Sequence, residues 1–135
     1  MNSITNWLLI GVGGALGAIA RYWLGGRLQA LTASPSDIHY ATLGVNVLGC
    51  LLIGLLAFFV ERGSLPPELQ ALLMVGLLGA FTTFSTFSLE TLRLLQAARI
   101  GAAAAYVGGS ALLGLLAVWA GYGLPGALLK AIGRG

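Results

Sequence analysis

Four apolar runs, each about 20 residues long, divide this chain, and nearly all of its charge falls between them or at their ends. About 20 residues of helix cross the roughly 30 Å hydrocarbon core of a bilayer. The runs cover about 4–24, 40–60, 68–94 and 100–122. Hydrocarbon offers the backbone no hydrogen bonds, so each run is expected to be a helix that bonds itself. Of the 135 residues, 58% are hydrophobic and only 8% charged, against about 25% in a soluble domain. The expected fold is an all-α membrane protein, one domain of four transmembrane helices with no length left over for a soluble part. The start, 1–6, carries no basic residue of the kind that opens a secretory signal, so the first run is expected to be retained.

Several function classes drop out at this point. The lone Cys50 excludes an intrachain disulfide framework. Seven basic and four acidic residues, scattered over such a length, make no nucleic-acid patch. His39 stands in the polar interval beside Tyr40 without companions at ligand spacing, so it is not a metal site. No motif positions two catalytic groups, and the chain is read as no enzyme.

Orientation is nearly undetermined by charge. With four spans, Arg62, Lys130 and Arg134 fall on one side, and Arg27, Arg93 and Arg99 on the other, with Arg21 near the membrane edge. Topology follows the difference in Lys and Arg between the two sides. Near-balance points to insertion in both orientations, and so to an antiparallel homodimer. The many intrahelical glycines, such as Gly13, Gly17, Gly44, Gly49 and Gly114, are expected to let helix backbones approach closely.

The polar residues inside the runs carry the functional information. Residues 79–90 interleave five hydroxyls with three phenylalanines in an otherwise apolar stretch. Hydroxyls at that depth need partners: their own backbone, a neighbouring helix, or a permeating species. Phe84 and Phe87 are three apart and share a helical face, with Thr83 and Thr86 each one residue before a ring. Ring edges carry the positive part of the aromatic quadrupole. Ring edges and O–H donors together suit a small, strongly hydrated anion, with no fixed cation to trap it. Residues 79–83 mix glycine with aromatic and β-branched residues, which makes a break of the third helix plausible, and a break would free carbonyls for a cation such as sodium. Asn46 is either interhelical glue or part of a conduction path. Arg21 either snorkels or faces a watery vestibule. Glu90 closes a polar path or marks where the helix meets water, and Tyr106 and Ser110, four apart, offer a second polar strip.

These residues resemble a known family. The run Gly79-Ala-Phe-Thr-Thr-Phe-Ser-Thr-Phe-Ser-Leu-Glu90 is similar to the third-helix signature of the CrcB/Fluc fluoride channels. Gly44-Val-Asn46-Val-Leu-Gly49 resembles their second-helix motif, 13–21 the first and Tyr106-Val-Gly-Gly-Ser110 the fourth. The resemblance implies a fluoride-selective channel, an antiparallel dual-topology homodimer with two pores, that passively exports fluoride across the plasma (inner) membrane of a microbe and relieves its toxicity. It implies that Asn46, Phe84, Phe87, Ser85, Thr86, Glu90, Tyr106 and Ser110 line the fluoride pathway, and that Arg21 and Thr42 line the vestibule. It also implies a third helix broken near its middle, with the backbone carbonyls of Gly79 and Thr82 holding a structural Na+ at the dimer interface. Ala80 stands where some relatives have a second glycine; its carbonyl is intact, so the cation site is expected to persist. Two other readings remain. A proton-coupled small multidrug-type transporter needs a deep ionisable group, and the first run has no Asp or Glu. A non-transporting membrane assembly protein would use the hydroxyls as glue alone.

Overall fold

The computed structural model describes residues 3–32 and 39–133. Asp37, the neighbouring polar residues at 34–36, and Arg134 lie outside the described residues. Helix α1 spans Ser3–Leu31 and α2 spans Tyr40–Glu61. A third span, Pro67–Gln96, is composite: α3 (Pro67–Gln70), a π-helical segment (Ala71–Leu78), α4 (Gly79–Phe81) and α5 (Phe84–Gln96). The last helix, α6, spans Ile100–Ala131. All four spans are long and apolar enough to cross a membrane.

Turn chemistry sets the ends of the third span. Pro67 stands at the first helical position, where a missing N–H costs nothing, after Pro66 in extended backbone. At the far end Ala98 has a positive φ of 56°, and its amide closes on Leu95 as the chain turns into α6. The outer helices run beyond the expected ends, α1 to Leu31 and α6 to Ala131. Pro125 does not stop α6; it lies buried inside the helix. The carbonyl its ring leaves without a donor belongs to Gly121, whose missing Cβ would collide with the Leu51 backbone of α2. Such prolines persist in membrane helices when a neighbouring helix holds the backbone.

Packing is pairwise. α1 lies along the π-helical segment, and α2 lies along α6. Gly17 shows why α1 comes so close, since a Cβ there would strike the Leu77 carbonyl. The i→i+5 register of the π segment adds a residue to the turn and rotates the helix beyond it. One buried cluster joins Val45, Leu78 and Phe81 beneath Leu24, Leu28 and Leu52; another joins Leu94, Ala103 and Tyr106. At the opposite end of α2, Tyr122 donates to Glu61, and the Arg62 guanidinium lies 4.2 Å over the Phe58 ring. The outer surface is apolar, with Trp7, Trp23 and Trp119 each largely exposed. In a bilayer such a surface faces lipid or another protein chain.

Candidate functional site

Within the third span, two residues leave helical backbone. Thr82 has φ −82°, ψ 151°, and Thr83 has φ −136°, ψ 99°. The Thr82 amide still reaches the Leu78 carbonyl at 3.1 Å, the last bond of the first limb. The next amide does not continue the ladder. Thr83 N–H donates to Asn46 Oδ1 at 2.8 Å, and Asn46 Nδ2 donates back to the Thr83 carbonyl at 3.3 Å. In an unbroken helix that N–H would have bonded Gly79. The Asn46 side chain thus replaces a turn of helix and releases the Gly79 carbonyl from its helical partner. Arg21 Nε donates to the following carbonyl, Ala80, at 3.1 Å. α2 and α1 together hold a stretch of backbone that α4 and α5 cannot satisfy.

Thr83 also stands at the boundary of two clefts. The first, of about 520 Å³, lies between α1, α2 and α5 and is the more polar, lined among others by Arg21, Arg27, Thr42, Thr86 and Glu90. Glu90 is buried, and each of its carboxylate oxygens accepts a hydroxyl: Thr42 Oγ1 donates to Oε1 at 2.8 Å and Tyr106 OH to Oε2 at 2.6 Å. His39 Nδ1 stands 3.7 Å from the same Oε1. Two hydroxyls and a histidine face the carboxylate, and two guanidiniums share its cleft.

The second cleft, of about 490 Å³, is mostly apolar. Asn46, Gly79, Thr82, Phe84, Phe87 and Ser110 line it, with Ile53, Met74 and Val107 among the rest of its wall. Phe84 is 80% exposed, so no contact within this chain requires its ring where it stands. Its centroid lies 5.9 Å from Phe87, and Phe87 lies 5.2 Å from Tyr106, with tilted planes. The rings form a file from the apolar cleft to the Glu90 cluster. Ser110 Oγ is buried and makes no hydrogen bond within the described residues. A buried hydroxyl without a partner is costly, and its position on the cleft wall gives it an open side.

The residues expected for pathway, vestibule and sodium site therefore divide. Arg21, Thr42, Thr86 and Glu90 share the polar cleft; Asn46, Gly79, Thr82, Phe84, Phe87 and Ser110 share the apolar one. Tyr106 is buried behind Glu90 and lines neither, so it and Ser110 do not form one strip. Ser85 is exposed and lines neither cleft. Two hydroxyls take the local option: Thr82 bonds back to Leu78 and Ser88 to Phe84. Arg21 both lines the polar cleft and bonds the half-buried Ala80 carbonyl. Sequence reasoning missed His39 as a neighbour of Glu90, because that contact joins two elements 51 positions apart. It also missed that the Asn46 amide is spent on backbone. The sequence signals for the latter were an Asn among apolar and small neighbours in one run and a poor helix former in another.

Comparison with known proteins decides the family. A family model described as "CrcB-like protein, Camphor Resistance (CrcB)" matches residues 8–122. The chain belongs to the CrcB family. A relative from Stutzerimonas stutzeri, named "Fluoride-specific ion channel FluC", is 49% identical over 116 residues, covering 85% of this chain and 92% of the relative. One of the same name from Thermus thermophilus is 45% identical over 126 residues, 93% and 98% of the two chains. A third, "Fluoride-specific ion channel FluC 2" from Symbiobacterium thermophilum, is 50% identical over 113 residues, 83% of this chain and 90% of the relative. Both clefts and the Asn46 clamp fall inside the matched range. With four spans and channel-forming relatives, this CrcB chain is a multi-pass membrane protein.

Proposed function

We propose that the chain forms a fluoride-selective channel that lets fluoride leave a microbial cytoplasm passively across the plasma membrane. The single observation that carries the reading is the pair of clefts that meet at Thr83, one polar and cationic, one walled by Phe84, Phe87 and the unpartnered Ser110. The relatives' names give the ion. HF crosses bilayers, ionises in a more neutral interior, and the trapped anion then needs a pore. Arg21 and Arg27 raise the local anion concentration at the polar mouth. Beyond Thr83, phenylalanine edges, the second N–H of Asn46 and the Ser110 hydroxyl offer donors without a cationic side chain, strong enough to admit a small anion and weak enough to release it. No step requires bond making, and the protein acts as a conduit and not as an enzyme.

The functional unit is an antiparallel homodimer. One chain leaves its apolar cleft open on the side where Phe84 is exposed, and Gly108 and Gly109 have no atom within 4 Å of where a Cβ would stand. Small residues of this kind allow a second backbone to come close. The near-equal basic charge on the two sides supports both orientations. The interruption at Thr82–Thr83 is the functional break of the third helix, and a structural sodium ion fits it. Gly79 offers a carbonyl freed from helix bonding, Thr82 has extended backbone, and both line the open cleft. Hard carbonyl oxygens of this type bind sodium in other broken membrane helices. When bound, the ion supplies a fixed positive charge at the break; two copies of this carbonyl set make a fuller shell than one.

The test is efflux from liposomes loaded with potassium fluoride and potassium chloride, read with parallel electrodes. Fluoride release that requires a potassium shunt, without chloride release, is the expected result. Release of neither ion from folded protein would contradict the reading.

A further inference from the structure

His39 is the sole histidine of the chain and stands where α2 begins. Its backbone carbonyl accepts the Leu43 amide at 3.1 Å, while its side chain makes no capping bond and stays half-exposed. The imidazole instead turns toward α5 and α6. Nδ1 lies 3.7 Å from Glu90 Oε1, and the ring meets Tyr106 edge-on at 6.2 Å between centroids. A separation of 3.7 Å is too long for a hydrogen bond but within reach of an ion pair. The groups facing this contact include Glu90 on α5, Tyr106 on α6 and Thr42 on α2, with Arg21 and Arg27 of α1 across the same cleft.

We propose that His39 is a proton-controlled positioning residue that governs how well the polar cleft receives fluoride, an inference that rests on the channel reading above. With a neutral imidazole, the Glu90 carboxylate takes the hydrogens of both Thr42 and Tyr106. Neither hydroxyl then offers a donor to the cleft, and the carboxylate charge opposes an incoming anion. A protonated imidazole carries N–H donors on both nitrogens. Closing on Oε1, the oxygen that Thr42 uses, it compensates the carboxylate charge and lets the Thr42 hydroxyl turn into the cleft. Both changes favour the anion. Acid conditions, in which more HF enters the cell, would thereby open the export path further.

The experiment is fluoride current in planar bilayers at symmetric pH, stepped from about 7.5 to about 5.5 across the histidine range, because neutral HF carries no current. Wild-type current should rise about twofold to fivefold on acidification, the scale of a half-exposed ion pair. His39→Gln should give a flat profile. His39→Arg should give a flat profile at the raised level, and Thr42→Val should lose most of the acid gain. Asp37→Asn, altering the other titratable group near His39 in sequence, should keep the gain. A wild-type current that is present but flat, or an acid gain that survives His39→Gln, would overturn the role of His39. Absence of fluoride current at every pH would instead remove the channel reading beneath it.

Discussion

The two clefts flanking Thr83 are similar in volume and opposite in how they treat polar groups. In the polar cleft each oxygen of the Glu90 carboxylate accepts a hydroxyl, one from α2 and one from α6, and these bonds tie three helices together. In the apolar cleft two polar groups keep spare capacity: Ser110 Oγ has no partner, and Asn46 keeps one N–H after clamping Thr83, whereas Thr82 Oγ1 bonds the Leu78 carbonyl. A structure built for stability alone would not bury a hydroxyl without a bond. The difference lies in where donor capacity is left over: at the Ser110 hydroxyl and the second N–H of Asn46 in the apolar cleft, and not at the two hydroxyls bonded to Glu90.

That contrast can be broken by substitution. The largest effect is expected at the clamp shared by both clefts. Asn46→Leu leaves the Thr83 amide and carbonyl unpaired at about 1–3 kcal/mol each. Liposome efflux should fall to the protein-free level, and the thermal midpoint in detergent should drop. Next comes Phe84→Ile, which touches a ring that the single chain does not need; fluoride flux should fall about tenfold, on the scale of aromatic edge interactions, while the protein elutes and melts as before. Ser110→Ala removes an unbonded hydroxyl, so stability should hold or rise by up to about 1 kcal/mol while flux falls about fivefold. The smallest flux change, within about threefold, belongs to Glu90→Gln. That variant should lose more stability than Phe84→Ile or Ser110→Ala, since two charge-assisted bonds worth about 1.5–3 kcal/mol each are altered. A Ser110 variant that unfolds, or a Glu90 variant that abolishes flux at unchanged stability, would invert the comparison.

Much of the fold was legible because hydropathy and length alone define a membrane helix. The four runs became four spans, and Pro66-Pro67 marked the start of the third. Helix ends were less legible: α6 continues through Pro125 because α2 supports the backbone there, a tertiary fact invisible along one chain. In the site, the hydroxyl-rich stretch 79–90 did reach both clefts, and the weak helix sequence coincides with the extended residues 82 and 83. The hidden features were pairings between elements. Glu90 with Thr42, His39 and Tyr106, and Asn46 with Thr83, join residues 16 to 51 positions apart. Periodicity places Ser85 beside Phe84 but does not say which face meets a cleft, and Ser85 faces outward.

The most direct measurement is the zero-current potential of a bilayer containing the purified protein, with a tenfold fluoride gradient, equal chloride and equal pH. A passive fluoride-selective pore should hold that potential at the fluoride equilibrium value, about 59 mV for one charge. The value should stay there when a proton gradient is added. A potential that stays near zero under the fluoride gradient, or one that moves with the proton gradient, would contradict the account.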